Sequence, residues 1–147
     1  MKRHNIIQHQ SIKADGWKAF SQTCFDLSAL DIGPHSKTLL QEIIGAVKAG
    51  LPVSVIILAA TIADVVLYEG QIDPGQSPDA DSMGIDWLTA SERRQLNWLR
   101  SYRNQLVHYE GVVSGMTGAE TDQELMQKNA DKALAAIVPL LAGLEQF

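Results

Sequence analysis

The sequence predicts an all-α fold: a four-helix up-and-down bundle preceded by an N-terminal arm or short helix. From residue 34 onwards, apolar residues recur at steps of three and four, which is the period of one helix face. Residues that start or stop helices, such as Pro52 and Gly50, bound these periodic segments. No run shows the two-residue alternation of a strand. Together these observations favour helix packing throughout the chain.

Residues 1–32 are predicted as an arm that leads into a short helix, separate from a bundle at residues 33–147. Apolar residues of the head only partly follow helical spacing, because Asp15 and Gly16 interrupt them. They are Ile12, Trp17, Phe20, Cys24, Phe25 and Leu27. We expect exposed apolar side chains of this head to pack on a partner subunit.

The first two main helices are predicted to be antiparallel neighbours. The first begins at Pro34, which suits the first position of a helix, and ends at Gly50. The second runs from Pro52 to about Glu69, so the connection between them is very short. This second helix is apolar on almost every side, but Asp64 interrupts it and it is too short for a membrane span. We therefore expect a buried central helix in a homodimer.

The last two main helices follow a long loop at residues 70–87, which is rich in Gly, Pro, Asp and Ser. Residues 89–92, Thr-Ala-Ser-Glu, form a capping box that opens the third helix. That helix is expected to end near Gly111. A second box at residues 121–124, Thr-Asp-Gln-Glu, is expected to open the fourth helix, which Pro139 should kink or locally break.

Composition is that of an ordinary soluble globular protein, with 46% hydrophobic and 20% charged residues. With no secretory leader after Met1 and a single cysteine, Cys24, we expect a cytoplasmic protein without an internal disulfide. No cofactor, metal or membrane is expected, since no phosphate-binding glycine loop occurs and the histidines are scattered. The histidines are His4, His9, His35 and His108.

The net charge of −5 argues against a general nucleic-acid binder, which should carry a basic face. A local basic cluster is nevertheless predicted on the third helix, where four arginines fall within eleven positions. These are Arg93, Arg94, Arg100 and Arg103.

Residues 101–110, Ser-Tyr-Arg-Asn-Gln-Leu-Val-His-Tyr-Glu, combine side chains for phosphate binding and proton transfer. Arg103 offers a planar fork of donors for phosphate oxygens, and His108 brings an imidazole, a group that can take or give a proton. Arg100, Asn104 and His108 are four apart and should line one helix face, where Asn104 is expected to orient the imidazole. Arg103 and His108 are five apart, so their cooperation requires a loosened helix end, a long reach or a second copy across a dimer axis.

The pattern Arg-Asn-x-Leu-Val-His-Tyr at residues 103–109, at the end of the third helix of an all-α domain, resembles the HEPN family of nucleotide- and RNA-associated bundles. Trp98-Leu99-Arg100 and the aliphatic second helix fit the same pattern. The resemblance covers roughly residues 34–147. It implies a homodimeric, metal-independent endoribonuclease, a toxin or defence component that has an antitoxin protein as a possible partner.

In this resemblance Arg103 is the motif arginine, Asn104 its polar neighbour and His108 the motif histidine, with Arg100 and Tyr109 contacting the RNA. Glu110 stands where the toxin branch has a tyrosine, so modification of such a tyrosine is not expected. The alternative is a non-catalytic interaction module that binds a partner protein or a nucleotide. In that case the arginine and histidine would only stabilise the helix end or an interface.

Overall fold

The computed structural model describes residues 15–69 and 87–144, which form five α-helices, one turn of 3₁₀ helix and no strand. The all-α class is confirmed. The helices are α1 (Asp15–Thr23), α2 (Pro34–Lys48), α3 (Pro52–Glu69), α4 (Ala90–Val107) and α5 (Asp122–Ala142), with the 3₁₀ turn at Leu27–Ala29. Helices α2 to α5 are the four predicted main helices, and α1 is the predicted short helix. The predicted arm before residue 15 and the predicted loop up to residue 86 lie outside the described residues.

Helix α3 is the centre of the domain, because it packs against α2, α4 and α5. Its core-facing residues are fully buried: Val55, Ile56, Ala59, Ala60, Ile62 and Ala63. A second stripe of the helix stays partly exposed and includes Leu58, Val65 and Tyr68. Three neighbouring helices therefore do not cover all of this nearly uniformly apolar helix. Within residues 15–69 and 87–144, no helix has both the length and the apolar character needed to cross a membrane.

Helix α1 is attached to α5 through one carboxylate. The two oxygens of Asp131 accept hydrogen bonds from the backbone amides of Gly16 (3.1 Å) and Trp17 (2.9 Å). The first amides of a helix have no partner within it, so Asp131 acts as a cap supplied by another helix. A β-carbon at Gly16 would lie 2.1 Å from the carbonyl oxygen of Asp131. Asp15 and Gly16 thus begin a helix where the sequence suggested an interruption.

One of the two predicted capping boxes is present. The amide of Glu92 donates to Thr89 Oγ1 at 3.1 Å, and the amide of Thr89 donates to Glu92 Oε1 at 2.9 Å. The box predicted at Thr121 is wrong, because that residue has helical backbone angles (φ −84°, ψ −2°) and makes no capping bond. A capping side chain needs an extended backbone to reach the amides ahead of it. Instead, the Asp122 carboxylate accepts the amide of Gly118 at 2.6 Å.

Two predicted helix ends also differ from the structure. Helix α4 ends at Val107 and not near Gly111, because the chain turns back and buries Val113 in the core. Helix α5 continues through Pro139 to Ala142, so the predicted local break is absent. Proline lacks only one amide donor, and the last turn of this helix persists without it.

Candidate functional site

Asp64 binds two arginines of α4, one with each carboxylate oxygen. Its Oδ1 accepts Arg100 Nε at 2.7 Å, and its Oδ2 accepts Arg103 Nη2 at 3.0 Å. The Arg100, Arg103 and Asp64 side chains are 17%, 18% and 22% exposed, so the cluster lies at the rim of the core and still reaches solvent. Two guanidinium groups and one carboxylate leave one positive charge there.

The packing of α3 against α4 creates this cluster. Arg100 and Arg103 are three apart and therefore share a helix face, which here faces the Asp64 position of α3. Asp64 was not among the predicted site residues: in the sequence it counts against a membrane span and ends the aliphatic stretch that fits the HEPN pattern. The available signal was its isolation in an apolar helix, since a charge at the edge of a core requires charged or polar partners.

Asn104 fixes the second side of Arg103. Arg103 Nε donates to Asn104 Oδ1 at 2.9 Å, while Nη2 of the same guanidinium binds Asp64. The side-chain oxygen of Asn104 is thus used by Arg103, and the prediction that Asn104 orients the imidazole of His108 stays a prediction. In the described part of the chain Nη1 of Arg103 makes no hydrogen bond. This leaves a donor for an anion on a guanidinium whose orientation is set from two sides.

His108 is the first residue beyond α4 and has an extended backbone (φ −115°, ψ 98°). Its amide closes the helix by donating to the Asn104 carbonyl at 2.9 Å. Because its amide keeps the helical hydrogen bond, His108 still follows Asn104 by one helical turn, and its place on the face of Arg100 and Asn104 stays a prediction. The residue is exposed, and no described residue hydrogen-bonds its imidazole. Helix α4 thus ends between Arg103 and His108, and how the two residues cooperate stays a prediction.

An exposed apolar surface lies on both sides of His108 along the chain. Val107 is 47% exposed, Tyr109 84% and Val112 74%. Large apolar side chains in such positions mark contact sites when they occur together. Tyr109, predicted to contact RNA, is thus accessible for stacking on a base or for packing on another protein surface.

The remaining titratable candidates do not point to another centre. Burial raises the pKa of Cys24 to about 12, so its thiol stays protonated at neutral pH and is a poor nucleophile. Among residues 15–69 and 87–144, no three His, Cys, Asp or Glu side chains come together in a way that could hold a metal ion.

The structure thus joins three of the five predicted site residues, Arg100, Arg103 and Asn104, through contacts that include Asp64. His108 and Tyr109 lie on the exposed run that follows. Comparison with protein-family models, curated proteins and solved structures finds no match to this chain.

Proposed function

We propose that this chain is a metal-independent endoribonuclease of the HEPN type that works as a homodimer in a toxin or defence system. One observation carries the proposal. Arg103 is held in place by Asp64 and Asn104, and the helix ends just before an exposed histidine whose imidazole no residue of the described part of the chain hydrogen-bonds. An anchored cation followed closely by an accessible proton-transfer group suits the transfer of a phosphoryl group within RNA.

The reaction uses the 2′-hydroxyl of RNA as nucleophile. His108 removes the proton of this hydroxyl, and O2′ forms a bond to phosphorus while the bond from phosphorus to O5′ breaks. Water donates a proton to the departing O5′, and protonated His108 returns its proton to the hydroxide that is left. The products are a 2′,3′-cyclic phosphate and a 5′-hydroxyl. Arg103 stabilises the negative charge that develops on the non-bridging phosphoryl oxygens.

The homodimer supplies two copies of the motif. The partly exposed stripe of α3, with Leu58 and Val65, runs along the same helix as Asp64. A two-fold axis passing near this stripe buries the apolar surface and brings the two α4 ends towards each other. Arg103 of one copy then acts with His108 of the other. The two residues therefore need not lie on the same face of one helix, although they are five positions apart.

The proposal is tested by incubating the purified chain with single-stranded RNA in the presence of EDTA. We expect shorter RNAs that carry 2′,3′-cyclic phosphate and 5′-hydroxyl ends. A DNA oligonucleotide of the same sequence should stay intact, because it lacks the attacking hydroxyl. Absence of cutting, or products with a 3′-hydroxyl, would overturn the proposed reaction.

A second candidate, a non-catalytic interaction module, is favoured by the exposed Val107, Tyr109 and Val112. Such a surface suits a protein partner such as an antitoxin, with the arginine cluster serving only to stabilise α4 on α3. Stable binding of RNA or a protein without any cutting in the experiment above would support this candidate.

Asp64→Asn is expected to lower kcat for RNA cleavage on the order of 10-fold and to leave KM equal or lower. The amide keeps one acceptor but removes the charge that positions Arg103, while the net positive charge available to RNA rises. The free energy of unfolding should fall by about 1–2 kcal/mol, as for the loss of a charged hydrogen bond. Steady-state kinetics and urea unfolding measure both effects.

Glu42→Gln is the matched control for Asp64→Asn. It removes the same charge from an exposed position on α2, so kcat should stay within about twofold of wild type. An unchanged kcat in Asp64→Asn would contradict the positioning role of Asp64.

A further inference from the structure

Tyr102, the residue before Arg103, connects α4 to the segment that follows it. Its hydroxyl donates to the carbonyl oxygen of Ser114 at 2.7 Å and accepts Asn129 Nδ2 of α5 at 3.0 Å. The side chain is buried, with the residue 6% exposed. The phenol therefore has both a donor and an acceptor role filled, and it joins three parts of the fold in one place.

The ring of Tyr102 is fixed by stacking as well as by its hydroxyl. It lies 5.6 Å from the Trp98 ring, centroid to centroid, at an interplanar angle of 13°. Lys132 Nζ of α5 lies 4.0 Å from the centroid of Trp98 on this aromatic pair. Since Trp98 and Tyr102 are four apart on α4, the pair forms a rigid ridge against α5.

The segment bound by Tyr102 is shaped to meet it. Val113 is 8% exposed and packs in the core. Gly115 has φ +92°, and a β-carbon there would lie 2.8 Å from Met126 Cε and 3.5 Å from the Tyr102 hydroxyl. A side chain at Gly115 would therefore be strained, would crowd Met126 and would just touch the hydroxyl. The chain returns to the core at this point because the backbone itself approaches the phenol.

His108 consequently belongs to a short span with two fixed ends. At one end, the backbone amide of His108 donates a hydrogen bond to the Asn104 carbonyl oxygen. At the other end, the Tyr102 hydroxyl donates a hydrogen bond to the Ser114 carbonyl oxygen. We propose that Tyr102 is a positioning residue for the ribonuclease reaction: its hydroxyl holds the 108–114 span so that His108 keeps a set place relative to Arg103. This inference rests on the proposed function and adds to it the means by which the exposed histidine is held.

Tyr102→Phe tests the proposal, since it keeps the ring stack and removes only the hydroxyl. We expect the backbone N–H order parameters of His108 and Ser114 to fall from about 0.85 to below about 0.6. We also expect kcat for RNA cleavage to fall on the order of 10-fold with KM within about twofold, because the arginines are untouched.

Thr89→Ala is the matched control. It removes the capping bond at the other end of α4 and lowers helix stability to a similar extent, but both order parameters and kcat should stay at wild-type values.

Unchanged order parameters in Tyr102→Phe would show that the Tyr102 hydroxyl does not hold the 108–114 span. Lower order parameters with an unchanged kcat would overturn its role in positioning His108. A wild-type chain that cuts no RNA overturns the proposed function, and the order parameters then still decide whether the hydroxyl of Tyr102 holds the span.

Discussion

Replacing His108 with alanine is expected to lower the rate of RNA cleavage by about 10²- to 10⁴-fold, the contribution typical of a general acid or base. Arg103→Ala should lower it by about 10²- to 10³-fold, because a fixed donor to the developing negative charge is lost. The two losses have different physical origins. A neutral histidine must accept a proton, whereas the arginine acts only through its charge and hydrogen bonds.

His35→Ala and Arg94→Ala are the matched controls. His35 and Arg94 are exposed residues of the same types, on α2 and on the first turns of α4. We expect both variants to cleave RNA at wild-type rates. Undiminished cleavage by either His108→Ala or Arg103→Ala would show that the replaced residue takes no part in the reaction.

Mixing the two inactive variants tests whether one site uses both copies. If Arg103 of one copy acts with His108 of the other, a dimer of Arg103→Ala with His108→Ala contains one intact pair. Activity should therefore reappear after the two purified variants are mixed and allowed to exchange subunits. A mixture as inactive as its components would show that each site is built within one chain.

Gly16→Ala is expected to lower the free energy of unfolding by about 3 kcal/mol, the sum of overpacking and a lost helix cap. The added carbon would lie 2.1 Å from a backbone oxygen of Asp131, which cannot move without disturbing α5. Moving α1 away to relieve this overlap would also break the two hydrogen bonds that the Asp131 carboxylate accepts from backbone amides of α1.

Gly45→Ala is the control for Gly16→Ala, and it should raise the free energy of unfolding where Gly16→Ala lowers it. Nothing lies within 4 Å of the added carbon, and alanine in a helix interior is favoured over glycine by about 0.5–1 kcal/mol. Urea unfolding of the two variants measures both effects. An equal change in both proteins would show that the contact of α1 with Asp131 does not limit stability.

Much of the fold could be predicted because its determinants are local. Helices α2 and α3 have the predicted starts at Pro34 and Pro52, since proline at the first position needs no amide partner. The capping box at Thr89 formed because all of its bonds lie within four residues. The box predicted at Thr121 failed, because the backbone before α5 is already helical, and the Asp122 carboxylate instead accepts the amide of Gly118, ahead of the helix.

The candidate site was less predictable than the helices that carry it. The sequence by itself determined the all-α class, the approximate helices, and the short interval that puts Arg103 and His108 at one helix end. Only the tertiary structure decided that Asp64 binds Arg100 and Arg103, because these partners are 36 and 39 residues apart.

The same reason applies to α1, whose capping carboxylate Asp131 lies 115 residues beyond Gly16. Helix periodicity and caps depend on neighbours within one or two turns, so residues close together in the sequence are enough to predict them. The pairing of charged residues on different helices depends on how those helices pack, and the spacing of residues along the chain does not determine that packing.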